Sequence, residues 1–74
     1  MARLPNVSAK DLIRALEEAG FLRSRQKGSH VSLRHPGTKR TTVVPMHTGD
    51  LKRSLLKKII QDAGLTEDDF RDLL

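Results

Sequence analysis

The sequence contains no cysteine, tryptophan or tyrosine, only two phenylalanines, few acids before residue 61 and no long apolar run. Without cysteine, disulfide frameworks and thiolate metal sites are excluded, and a reducing cytoplasm is the natural home. No stretch reaches transmembrane length and the N-terminus lacks a signal-peptide core, so neither a membrane span nor a leader is expected. Phe21 and Phe70 alone cannot build the aromatic platform on which single-strand-binding sheets stack bases. The shortage of early acids leaves a basic body. Fourteen Lys and Arg against nine Asp and Glu give a net charge of +5 and a pI near 10.3. Asp62, Glu67, Asp68, Asp69 and Asp72 collect in an acidic tail. That balance points to a polyanionic partner, most often nucleic acid.

The 74 residues suffice for one small domain, 1–74, with an aperiodic lead-in over 1–7 and a short helical extension over 66–74. Ser8, with Asp11 three residues on, opens a helix whose apolar stripe is Leu12, Ile13, Leu16 and Ala19. Gly20 stands where a helix C-terminal glycine belongs, and Phe21 can fold back to close the motif. Strands are expected over 21–25, 30–34 and 40–44, joined by turns at 26–29 and 35–38 and ended by Pro45. Short turns between successive strands imply an antiparallel meander. A second helix spans 51–63, with apolar residues at 51, 55, 56, 59, 60 and 63, capped by Asp50 or Ser54 and ended by Gly64. Thr66 and Asp69 then cap a last short helix. Helix, three strands and helix make an α+β sandwich with one sheet face open.

The stretch from Arg25 to His35 concentrates the chemistry. Gly28 permits a tight or left-handed turn, and from Val31 the alternation is that of a half-buried strand. With Val31 and Leu33 inward, His30, Ser32 and Arg34 share the outer face. A histidine there, beside Ser29 and several cations, suits acid–base work on a phosphodiester. The plain alternative is a surface histidine with no task.

In order, Gly28-Ser29-His30, His35-Pro36, Pro45-Met46-His47 and Ala63-Gly64-Leu65 follow a capped helix, and over residues 8–65 the chain resembles the HicA toxins. The resemblance implies a double-stranded-RNA-binding-domain fold and ribonuclease activity on messenger RNA. It also implies a place as the toxin half of a toxin–antitoxin pair, neutralised by a HicB antitoxin, with His30 as the catalytic residue. One departure is Ser54-Leu55 at the entry to the second helix, where members often carry Gly-Thr.

A neutral imidazole can take the proton of an RNA 2′-hydroxyl, and the unperturbed pKa of histidine, about 6.5, suits the task. This route calls for no metal or other cofactor. Arg25, Lys27 and Arg34 can balance charge building on phosphorus. Ser29 either bonds phosphate or holds the turn. Lys52 and Arg53 lead a basic run with Lys57 and Lys58, either a solvated face or phosphate contacts. His47 either approaches the site from its loop as a secondary group or has a structural role or none, and His35 reads as a solvated turn residue. A zinc site from His30, His35 and His47 lacks a fourth ligand at suitable spacing. The rival reading is a non-catalytic RNA-binding module of the same fold. A DNA-binding domain fits less well, because the second helix has no helix-turn-helix partner.

Overall fold

Ser8 ends the extended lead segment and starts α1 (Ala9–Glu18), its side chain accepting the Asp11 N–H at 3.2 Å. The computed structural model describes residues 4–46 and 49–74. Leu12, Ile13 and Leu16 are buried as the stripe requires, joined by Ala9 and Ala15. At the other end Gly20 takes φ 102°, Gly20 N–H bonds the Glu17 carbonyl and Phe21 N–H bonds the Leu16 carbonyl, both at 3.0 Å. This is the Schellman arrangement, and the buried Phe21 and Leu16 are its apolar pair.

Three antiparallel strands follow in the order β1-β2-β3: β1 (Leu22–Lys27), β2 (His30–Arg34) and β3 (Thr41–Pro45). β1 runs to Lys27, two residues beyond expectation, because Lys27 pairs with His30 and leaves only Gly28-Ser29 for the turn. Gly28 has φ 58°, a positive value at the first position of a two-residue hairpin turn. β3 starts at Thr41 rather than Arg40. Arg40 closes the preceding turn instead, its carbonyl accepting the His35 N–H at 2.9 Å. Pro45 belongs to β3. Met46 N–H reaches the Ser29 carbonyl, so by alternation Pro45 turns its nitrogen to the open edge, where no donor is needed.

Both helices pack beneath the sheet on the side of Val31, Leu33, Thr42 and Val44. The buried Thr42 hydroxyl donates to the Ile59 carbonyl at 3.0 Å, tying β3 to α2 (Arg53–Asp62). This helix starts later than expected, and neither Asp50 nor Ser54 caps it. Lys52 is the cap residue and makes no side-chain bond. The reason lies upstream. Ser8 and Asp50 form a β-bridge and Leu51 N–H bonds the Val7 carbonyl at 2.9 Å, which holds 50–51 extended. Leu51 therefore enters the core from an extended segment, while Leu56, Ile59 and Ile60 enter it from the helix.

The lead segment is also more than a lead-in, since Leu4 and Val7 are both buried. Gly64 N–H to Gln61 and Leu65 N–H to Ile60, each at 2.9 Å, repeat the glycine closure at the end of α2. Thr66 and Asp69 form a full capping box for α3 (Glu67–Asp72), which inserts Phe70 into the core. One layer of strands over one of helices, with a short C-terminal helix, is the α+β layout of a double-stranded-RNA-binding domain.

The turn between β2 and β3 covers both glycine closures. A Cβ on Gly20 would stand 2.7 Å from His35 Nε2, and one on Gly64 would stand 2.6 Å from Arg40 Nε. Gly20→Ala is therefore expected to cost about 2 kcal/mol or more, from the left-handed backbone together with the collision. Gly28→Asn has open space around it and a residue that tolerates positive φ, so its cost is expected below about 1 kcal/mol. Urea denaturation of the two variants checks the contrast.

Candidate nucleic-acid interface

The register of the sheet decides which side chains share the open face. Lys27, His30 and Pro45 form one cross-strand row; Arg25, Ser32 and Val43 form the next; Leu22, Arg34 and Thr41 form the third. Directly opposed Cβ atoms in such rows lie about 4.5–5.5 Å apart. Lys27 is therefore the immediate neighbour of His30, and Arg25 stands one row along. Arg34 is two rows away on the same face. His30, Arg25, Lys27 and Arg34 are all exposed, and among the described residues His30 makes no side-chain hydrogen bond or ion pair. Its imidazole faces solvent.

A bulge shapes this surface. Simple alternation along β1 would put Arg23 beside Arg25 and Lys27, but the pairing shifts between Arg23 and Arg25. The extra residue, Ser24, donates its hydroxyl to the Ser32 carbonyl at 3.3 Å. Arg23 is thereby sent to the helix side, where its Nε lies 3.6 Å from Glu17. Leu22 takes the open-face position instead and is 63% exposed. A bulge adds one residue to one strand and inverts the facing of everything beyond it.

Ser29 occupies the second turn position, and its carbonyl accepts Met46 N–H, so its backbone joins β2 to β3 while its side chain remains exposed. Lys52 and Arg53 lie at the start of α2. Arg53 donates its Nε–H to the Leu4 carbonyl at 3.0 Å, so part of its guanidinium anchors the lead segment. Neither residue lines the groove that holds His30. That groove, about 320 Å³, runs along the open edge of β3 against α2, and its helix wall is Leu55, Lys58, Ile59 and Asp62. Lys58 is thus the α2 cation that shares a groove with His30. Its signal in the sequence is its spacing, three residues after Leu55 and four before Asp62, which puts all three on one helical stripe.

His35 is not the solvated turn residue its setting suggests. It is half-buried, and its Nδ1 accepts the backbone N–H groups of Gly37 at 3.0 Å and Thr38 at 3.1 Å. Those bonds put the ring proton on Nε2. The ring stands edge-on to Phe21, with centroids 5.3 Å apart and planes at 78°. His30 and His35 flank opposite ends of β2, separated by roughly 16 Å of extended chain, too far to share a metal ion. His47 lies outside the described residues. Both phenylalanines are buried. Among the described residues the open face therefore offers cations and an imidazole, with no phenylalanine side chain to serve as a stacking platform.

His35→Ala removes two accepted hydrogen bonds and the packing against Phe21, so it is expected to lower unfolding free energy by about 1–3 kcal/mol. His30→Ala is expected to stay within about 0.5 kcal/mol of the parent, since an exposed side chain without bonds is removed. Parallel urea melts of the two variants make the comparison.

A family model described as the HicA toxin of bacterial toxin-antitoxin matches residues 9–65. The match runs from the first residue of α1 to the residue after Gly64, and leaves α3 outside it. No curated protein matches the chain.

Proposed function

Since the chain belongs to the HicA toxin family of toxin–antitoxin systems, we propose that it is an endoribonuclease that cleaves messenger RNA with His30 as general base. The observation that carries the reading is the exposed His30 with Lys27 directly opposite and Arg25 one row along on the same face. An RNA strand laid over this face brings phosphates to the three open-face cations and a 2′-hydroxyl to the imidazole. His30 removes the hydroxyl proton, the oxygen attacks the adjacent phosphorus, and the 5′-oxygen departs. The products are a 2′,3′-cyclic phosphate and a 5′-hydroxyl. Lys27, Arg25 and Arg34 offset the charge that gathers on the phosphorane, most strongly Lys27 because it is nearest. No metal or cofactor is required, because base and counter-charges all come from side chains.

Lys52 and the terminal groups of Arg53 form a second phosphate-binding point away from the groove, and the Ser29 hydroxyl a third. His47 serves as a secondary group of the site. The whole of 1–74 acts as one domain in the cytoplasm, with 66–74 as an extension of the family unit. The inhibitor is a HicB-type antitoxin whose acidic surface covers the face that carries His30, which blocks RNA by occupying its cations.

Incubating the protein with an RNA transcript, with and without EDTA and beside His30→Ala, tests the reading. Cleavage that persists in EDTA, leaves cyclic phosphate ends and falls by about 10²–10⁴-fold in the variant is expected. If the parent binds RNA without cutting it, the chain is a binding module instead. For the cations, the Arg25→Gln/Lys27→Gln double variant is expected to bind single-stranded RNA more weakly. Its dependence of log affinity on log salt should flatten by about 0.7 for each phosphate that is no longer neutralised. Fluorescence anisotropy across a salt series measures that slope.

A further inference from the structure

We propose that Lys58 is the general acid of this cleavage, protonating the departing 5′-oxygen, and that Asp62 positions it. The inference rests on His30 acting as the base, and it supplies what that reading lacks. In an in-line displacement the attacking and leaving oxygens lie on opposite sides of phosphorus. The acid must therefore reach the phosphate from a different side than the base. Lys27 and Arg25 share the open sheet face with His30, so they approach from its own side. His35 is committed to its turn at the far end of β2. The opposite wall of the groove is α2. Of its groove-lining residues, Leu55 and Ile59 are apolar and Asp62 is an acceptor, which leaves Lys58 as the one proton donor on that wall.

Its placement is built rather than incidental. Leu56, Ile59 and Ile60 are buried and fix the rotation of α2, which turns the stripe of Leu55, Lys58 and Asp62 toward the β3 edge. Lys58 Nζ donates to Asp62 Oδ2 at 3.0 Å, one helical turn on. An exposed pair of this kind adds little to stability. It does restrict where a long, flexible ammonium group can be found. The step balances. The 2′-oxygen–phosphorus bond forms as the phosphorus–5′-oxygen bond breaks; His30 gains the 2′ proton, and Lys58 Nζ–H gives its proton to the 5′-oxygen. Water then restores both groups. An ammonium can do this, whereas a guanidinium holds its proton too tightly.

The test uses two single-stranded RNAs that differ at one cut site, first mapped on a transcript. One carries the ordinary linkage and the other has sulfur in place of the bridging 5′-oxygen, a leaving atom that departs without protonation. Lys58→Ala is expected to cut the ordinary RNA about 10²–10³-fold more slowly and the sulfur-bridged RNA within a few-fold of the parent. Lys58→Arg is expected to be as impaired as Lys58→Ala on the ordinary linkage, and Asp62→Asn to show a smaller loss that sulfur also relieves. His30→Ala is expected to be slow on both RNAs. Lys58 is exposed, so the variants keep the fold, as circular dichroism verifies. The proposal is overturned if Lys58→Ala is equally slow on both RNAs, if it matches the parent on both, or if Lys58→Arg restores the rate. Parental activity in His30→Ala, or a parent that cuts neither RNA, would instead sink the reading of His30 and with it this one.

Discussion

Burial of Val31 and Leu33 beneath β2 sets the direction in which His30, Ser32 and Arg34 point. Side chains along a strand alternate with a period of two, so a core that claims two positions commits the others to the opposite face. A slip of one residue would bury His30 and Arg34 and expose two core side chains. That loss holds the register, and the register places His30 between Lys27 and Pro45. The placement of side chains on the open face is therefore underwritten by the packing of the closed one. Thr42 reinforces it, since its hydroxyl reaches the backbone of α2 from the same buried side.

The two outer strands treat their exposed edges differently. β1 reads Leu-Arg-Ser-Arg-Gln-Lys and is exposed along its whole length, with cations that discourage pairing with another chain. β3 carries no charge between Thr41 and Pro45, and its edge is bordered instead by Pro45 and by the α2 wall with Lys58. Placing cations on β1 both protects the sheet and supplies the open face. This economy suits a chain of 74 residues, in which few side chains can be reserved for a single purpose.

Much of this was legible in the residues. The caps at Ser8 and Thr66, the glycine closures after α1 and α2, and the alternation from Val31 to Arg34 are local patterns, and local patterns are what a sequence states directly. The facing of His30 and Arg34 followed from them. What was hidden depends on contacts between distant segments. The delayed start of α2 comes from the Ser8–Asp50 bridge, and nothing near Asp50 announces it. Leu4 and Val7 reach the core from an extended segment too short for periodicity. The bulge at Ser24 redirects Arg23 by adding one residue to one strand, and composition is blind to that. His35 looked solvated beside Pro36 and Gly37 because the ring that covers it, Phe21, lies fourteen positions earlier. Lys58 sat in a basic run; its spacing put it on one stripe with Leu55 and Asp62, but the packing of α2 along β3 was needed to turn that stripe toward the groove.

The turn between β2 and β3 lays His35 on the glycine that ends α1 and Arg40 on the glycine that ends α2. Both helix ends carry the partial negative charge of the helix dipole, which a guanidinium such as that of Arg40 suits well. The consequence concerns how such a chain can diversify. Residues inserted between His35 and Arg40 would lift both fasteners at once and loosen each helix from the sheet. The Gly28-Ser29 turn touches neither helix end, so added residues there would leave both helix closures in place. The two ends of the sheet thus differ in what a longer turn would disturb: nothing in either helix closure at the end that carries His30, both closures at the other.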